Sequence, residues 1–126
     1  MDMKEVKAKP DQLVLTGYGP GQFRLGVDMV YSGSLLLLPD GPQSWPVRDI
    51  NALTVEDFAP VLAQKSEIDI LLFGVGKANQ PMPRDVRLSL EAADLYCEVM
   101  DTGAACRTFN VLVEEQRRVF AALIAV

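Results

Sequence analysis

The side chains with chemistry to offer lie at two short turns. Asp101-Thr102-Gly103 follows one apolar run, with Cys106 and Arg107 one helical turn further on, and Gly74-Val75-Gly76 follows another, with Lys77 next to it. A helix opening near Gly103 would aim its free N–H groups and the positive end of its dipole at an anion. Thr102 would cap that helix, and Arg107 would add a planar two-pronged donor for carboxylate or phosphate. In an open α/β sheet, ligands gather outside the carboxyl ends of parallel strands. Two such turns on neighbouring strands would share a crevice, so the candidate ligand-binding residues are Gly74, Val75, Gly76, Asp101, Thr102, Gly103 and Arg107, with Lys77 in reach. The plainer reading uses the same residues: glycines serve ordinary βα turns, Thr102 only caps its helix, and Arg107 pairs with Glu98 or Asp101. A Gly-Xaa-Gly without the rest of a nucleotide-binding fingerprint is weak on its own.

Cys106, in the first turn of that helix, is the candidate reactive thiol, because the helix dipole lowers a thiol pKa. The competing reading is a small buried filler. The chain has no histidine and two cysteines, Cys97 and Cys106. That removes imidazole-based triads, and two thiolates leave half of a zinc tetrahedron empty, so no metal and no cofactor are expected. Asp101-Thr102-Gly103 is also the aspartic-protease signature, but that chemistry needs two carboxylates sharing a proton in a β-rich setting, and helical spacing follows here. No catalytic residue is assigned. The Gly17-Tyr18-Gly19-Pro20-Gly21 segment is no phosphate loop either: a strand follows it where such a loop leads into a helix.

The composition sets the frame for these turns. At 126 residues, 49% hydrophobic and 23% charged, the chain fits one globular domain that needs no staple. A net charge of −5 repels a phosphate backbone and argues against nucleic acid as a partner. Residues 1–12 read as a flexible polar arm with neither the apolar core of a signal peptide nor a membrane span, and residues 13–126 as the α/β domain. Free thiols fit a reducing cytoplasm.

The elements that must position the turns follow in order. Leu13–Thr16 and Gln22–Val27 read as a β-hairpin, and residues 31–34 turn the chain into Leu35–Leu38, an unbroken apolar run suited to a strand covered on both faces. Trp45 falls in the connection that follows, as a core plug. Thr54 starts a helix ending near Gln64, with Asp57 in its capping position, Leu53 and Phe58 as a staple, and Pro60 as a kink. Ile68–Phe73 reads as a second buried strand, Pro83 as the first residue of a helix carrying Val86, Leu90 and Ala93, and Tyr96–Met100 as the next strand. Alternating strands and helices predict right-handed crossovers in a parallel sheet. The last helix buries Ala105, Phe109 and Leu112 and turns Arg107, Asn110 and Glu114 outward. The Gln116-Arg117-Arg118 break and the Val, Phe and Ile content of residues 119–124 favour a closing strand over a continued helix.

Laid out this way, the chain resembles the family that contains the mitochondrial NADH dehydrogenase (complex I) assembly factor 3 and many uncharacterised small bacterial and archaeal proteins. The matching features are Ser34 to Pro39 with Trp45, Asp69 to Gly76, and the block Glu98-Val-Met-Asp-Thr-Gly-Ala-Ala-Cys-Arg-Thr-Phe-Asn-Val-Leu through Arg117-Arg118-Val119. The resemblance implies a three-layer α/β domain around a mixed, mostly parallel sheet whose final strand is antiparallel to its neighbours. It brings no established catalytic residues. Two departures stand out: no mitochondrial presequence, which points to a bacterial cytoplasmic protein, and Ala93-Asp94 where the family often places a helix-ending glycine.

The expected function is that of a non-enzymatic, chaperone-like factor assembling a membrane-associated respiratory complex. It would work through contacts with protein partners, respiratory-complex subunits among them, with peripheral rather than integral membrane association. The alternative is a small anionic-ligand-binding or enzymatic module using the crevice at the 74–76 and 101–107 turns.

Overall fold

Three apolar runs form the centre of the molecule, and each obeys the period of two that a doubly covered strand requires. The computed structural model describes residues 14–126; the expected arm at residues 1–12 lies outside them. A five-stranded sheet has the spatial order β5 (Gly41–Trp45), β4 (Ser34–Leu38), β8 (Val119–Leu123), β6 (Ile70–Gly74), β7 (Cys97–Met100). One face carries Leu35, Leu37, Ile70, Leu72, Ala121 and Leu123. The other carries Leu36, Leu38, Leu71, Phe73 and Ala122.

On the second face lie α1 (Ala59–Leu62), α2 (Arg84–Ala92) and the 3-10 turns around them, contributing Val47, Ile50, Leu53, Phe58, Val61, Val86 and Leu90. Trp45, Phe58 and Phe73 meet there edge to face, with centroids 5.5, 6.0 and 5.4 Å apart, the spacing favoured by aromatic quadrupoles. The Trp45 indole N–H donates to the Asp57 carbonyl at 2.9 Å, so the buried ring keeps its polar handle satisfied. Trp45 is the core plug its sequence setting implied.

The first face is covered by α3 (Thr102–Glu114) and by a separate antiparallel sheet of β1 (Leu15–Tyr18), β2 (Gln22–Leu25) and β3 (Met29–Ser32), so one outer layer is part helix and part sheet. Asn110 joins the two parts. Its side-chain amide donates to the Leu15 carbonyl at 2.7 Å and its side-chain oxygen accepts from the Leu15 N–H at 2.9 Å, where the β1–β2 register shifts between Leu15 and Gly17.

Several expectations are corrected. The final strand is not antiparallel to both neighbours: β8 runs parallel to β6 and antiparallel to β4. Nor is the sheet mostly parallel, since β6–β7 and β6–β8 are parallel pairs while β4–β5 and β4–β8 are antiparallel. The N-terminal hairpin has a third strand, β3, where a turn was read, and Trp45 ends a strand, β5, rather than standing in a connection. The helix expected from Thr54 to Gln64 is a 3-10 turn (Val55–Phe58) running into the single turn of α1, because Pro60 cannot supply an N–H to an interior turn. Its start behaves as read: the Asp57 carboxylate accepts from the Thr54 N–H at 2.8 Å and from the Thr54 hydroxyl at 3.1 Å. Pro83 precedes α2 as its N-cap instead of opening it. Asn110 points at Leu15, not at solvent.

Asp94 explains the second departure. It has φ of +59°, with the Leu95 N–H bonded to the Leu90 carbonyl and the Asp94 N–H to that of Glu91. This is a Schellman end, whose left-handed residue is usually glycine and is tolerated by a short polar side chain.

Candidate functional site

β6, β7 and β8 point the same way, and β5 joins them because both it and β8 are antiparallel to β4. Their carboxyl ends therefore share one rim of the sheet, and the Gly74–Gly76 and Asp101–Gly103 corners meet there. They meet by bonding to each other. The Val75 N–H donates to the Met100 carbonyl and the Thr102 N–H to the Gly76 carbonyl, both at 2.9 Å. A Cβ added at Gly74 would lie 2.9 Å from the Thr102 Cα, so glycine is required there by lack of space.

Thr102 is the knot of this corner. It is fully buried, its hydroxyl accepts from the Gly76 N–H at 3.0 Å and donates to the Ile124 carbonyl at 2.8 Å, and β6, β8 and α3 are thereby tied at one oxygen. The helix cap expected of Thr102 is supplied instead by Asp101, whose carboxylate accepts from the Ala104 N–H at 2.8 Å. The negative charge sits at the positive end of the α3 dipole, which it neutralises. Two donors that an anion would need are thus spent inside the chain, on Gly76 and Asp101.

What remains open beside this corner is a cleft of about 290 Å³ lined by Gly76, Lys77, Asp101 and Gly103 on one wall and by Tyr18, Gly19, Pro20 and Val126 on the other. Its charged lining is of both signs, Lys77 and Asp101. Of the residues read as a site, Gly76, Asp101 and Gly103 are brought together in it, while Gly74, Val75 and Thr102 are buried behind it. Arg107 is exposed, and its guanidinium donates to the Tyr18 hydroxyl at 3.3 Å, pairing with neither Glu98 nor Asp101. The Tyr18 hydroxyl also closes over Gly103, where an added Cβ would lie 2.6 Å from it.

Burial works against activation of both thiols. Cys106 is 3% exposed, and burial pushes its pKa up to about 12 despite the neighbouring Arg107 cation. The expected lowering by the helix dipole is overridden, because desolvation of a thiolate outweighs a dipole end already occupied by Asp101. Cys97 is likewise pushed up to about 12 by burial, with Glu98 adding to the effect.

Sequence reasoning found the hairpin loop at Gly17–Gly21 but not its place on the rim. The Gly21 N–H donates to the Val126 carbonyl, and the Gly33 N–H donates to the Gly21 carbonyl at 2.8 Å, so residues 19–21 lie across the sheet rim. The loop divides the rim: Gly19, Pro20 and Val126 line the 290 Å³ cleft on one side, and Gly21 and Ala125 line a larger one of about 470 Å³ on the other. The cluster of glycines was the available signal, since such a loop allows close backbone approach.

With this geometry in place, comparison with known proteins is decisive. Residues 15–124 match the family described as "Protein of unknown function (DUF498/DUF598)". The chain belongs to the DUF498/DUF598 family. It is 37% identical to an uncharacterised protein of Rhodobacter capsulatus, covering 89% of this chain and 84% of that one. It is 32% identical over 89% of its length to the NADH dehydrogenase [ubiquinone] 1 alpha subcomplex assembly factor 3 of Drosophila melanogaster, and 31% over 88% to that of Danio rerio. The chain spans 58% and 63% of the length of those two proteins. Among solved structures, this DUF498/DUF598 domain is similar to a Bartonella henselae crystal structure described as an outer membrane protein, with a TM-score of 0.85, 37% identity, and coverage of 93% of this chain and 98% of that one. It is also similar to an NMR structure from Rhodopseudomonas palustris, with a TM-score of 0.79, 35% identity, and coverage of 98% and 90%. No helix among the described residues is long and apolar enough to cross a membrane.

Proposed function

We propose that this protein is an assembly factor that acts by protein contact on subunits of a membrane-associated respiratory complex. The observation that carries the reading is the extent of the likeness to the assembly factor 3 proteins: about nine-tenths of this chain aligns with the insect and fish proteins, including the block that builds the Asp101–Gly103 corner and α3. The surface supports it. At the β2–β3 turn and along β3, Val27 is 92% exposed and Val30 53%, with Met29 between them and also exposed. Among the described residues β3 is moreover the outer strand of its sheet. Exposed apolar side chains beside such a strand edge offer a surface on which a client segment can dock.

The test is genetic. In a native host that carries the complex, deletion of the gene should lower the fully assembled enzyme on a native gel, and the wild-type gene should restore it. A Val27→Asp, Val30→Asp double variant, checked for an unchanged thermal transition, should fail to restore it. An unchanged level of assembled complex in the deletion strain would overturn the reading.

A second reading is favoured by the 290 Å³ cleft. There, Lys77 with Gly76 and Gly103 would hold a small polar ligand, with anions kept clear of the Asp101 carboxylate the first class to try. An anion-dependent rise in melting temperature that Lys77→Ala abolishes is the expected result, and no rise with any anion excludes it.

A further inference from the structure

The 470 Å³ cleft on the far side of the hairpin loop lies at the seam between the two sheets, and nothing above assigns it a role. It falls within the size range of small-molecule sites and sits at the carboxyl rim of the sheet, where α/β folds place ligands. Its floor and walls come from four separate elements: Gly21 ahead of β2, Gly33 and Ser34 where β3 gives way to β4, Trp45 at the end of β5, and Ala125 beyond β8. Arg48 stands at its edge.

Two polar groups in it are incompletely used. Ser34 is 3% exposed, and its Oγ accepts from the Ala125 N–H at 2.9 Å, but the hydroxyl hydrogen has no acceptor among the described residues. The hydroxyl lines the cleft, so a group bound there would find a donor in it. Arg48 makes neither a hydrogen bond nor an ion pair with any described residue, whereas Asp49 next to it is turned away to accept from the Asn51 N–H. The remaining lining is Ser32, the apolar residues Trp45, Pro46 and Ala125, and the glycines. A guanidinium, a hydroxyl and an apolar wall formed by Trp45, Pro46 and Ala125 in one opening suit an oxyanion that carries an apolar body.

We infer that this seam is a binding site for a small organic anion, a carboxylate or phosphate monoester on an aromatic or short aliphatic body, with its oxygens toward Arg48 and Ser34 and its body against Trp45. The inference does not rest on the assembly role, and either can fail alone.

Trp45 is the chain's single tryptophan, so its emission reports directly on the cleft. The test titrates the full chain with benzoate and with phenyl phosphate, inorganic phosphate serving as the body-less control. A fragment of this size binds at roughly millimolar Kd. Both organic probes should shift the Trp45 emission and the amide resonances of Gly33, Ser34 and Ala125, and inorganic phosphate should do so more weakly. Arg48→Ala, which removes no internal bond and should leave the melting temperature unchanged, should weaken the organic probes about tenfold. Arg48→Lys should recover part of that loss. Ser34→Ala gives a second reading on a chain whose fold is checked by the same amide spectrum. No shift with either organic probe, or an equal response in Arg48→Ala, would overturn the assignment. A response to inorganic phosphate as large as to the organic anions would overturn the part played by Trp45.

Discussion

The two sides of the hairpin loop make opposite use of the same sheet rim. On one side the ends of β6 and β7 are zipped together through Thr102, Gly76 and Met100, and the Asp101 carboxylate occupies the start of α3. On the other, Ser34 and Arg48 face an opening with donor capacity to spare. The zipped side holds the residue types that suggest chemistry in a sequence. The open side holds a serine, an arginine and a tryptophan that no motif connects. Reactive residue types mark where backbone ends must be satisfied at least as often as where a ligand binds, and the hydrogen-bond accounting separates the two.

Alkaline pH should test the closed side most severely. Cys97 and Cys106, on the strand and helix that flank the corner, are held near pKa 12 in the fold against 9.0 for an ordinary thiol. A raised folded pKa means that the native state keeps its protons longer than the unfolded chain does, so stability is intact below pH 9 and is lost progressively as pH rises toward 12. Urea unfolding across that range should show the decline, and it should be shallower in a Cys97→Ala, Cys106→Ala double variant.

Thr102→Val should come next, at about 2–4 kcal/mol by the same measurement, because it takes the shared hydroxyl from the part-buried Gly76 N–H and from the Ile124 carbonyl with little change of shape. Gly74→Ala should cost about 1–3 kcal/mol, since the new methyl meets backbone that cannot move aside. Asp101→Ala should cost about 1 kcal/mol as a lost N-cap, visible as faster hydrogen exchange at Ala104. Gly103→Ala should stay within about 1 kcal/mol of wild type, because its clash is with the mobile end of Tyr18 and alanine is the better helix former. Were Gly103→Ala as damaging as Gly74→Ala, the Tyr18 wall would be as rigid as the corner it faces.

The central strands were readable because burial on both faces writes itself as uninterrupted apolar runs at Leu35–Leu38, Ile70–Phe73 and Val119–Leu123. Two of the edge strands were not. β5 is written Gly-Pro-Gln-Ser-Trp, turn chemistry that only an outer strand tolerates, and β3 holds side chains that remain half in water. The direction of β8 could not be read either, since an apolar run carries no mark of the polarity of its neighbours. At the corner, Asp101 and Thr102 are adjacent and equally competent caps. Which of them faces the helix and which the sheet depends on β8, a partner distant in sequence. The seam cleft was illegible for the same reason: Gly21, Ser34, Arg48 and Ala125 converge only after both sheets are built.

β8 is the last of the described strands in chain order, yet it lies in the middle of the five-stranded sheet, hydrogen-bonded to β4 on one side and β6 on the other. While the chain is being translated, the β4–β5 pair and the β6–α2–β7 unit therefore have no strand to join them, and each waits with a leucine-rich edge uncovered. A ribosome-bound chain stopped after Glu114 should behave as two loosely tethered halves that bind ribosome-associated chaperones. Emergence of residues 115–126 should close the domain in a single step.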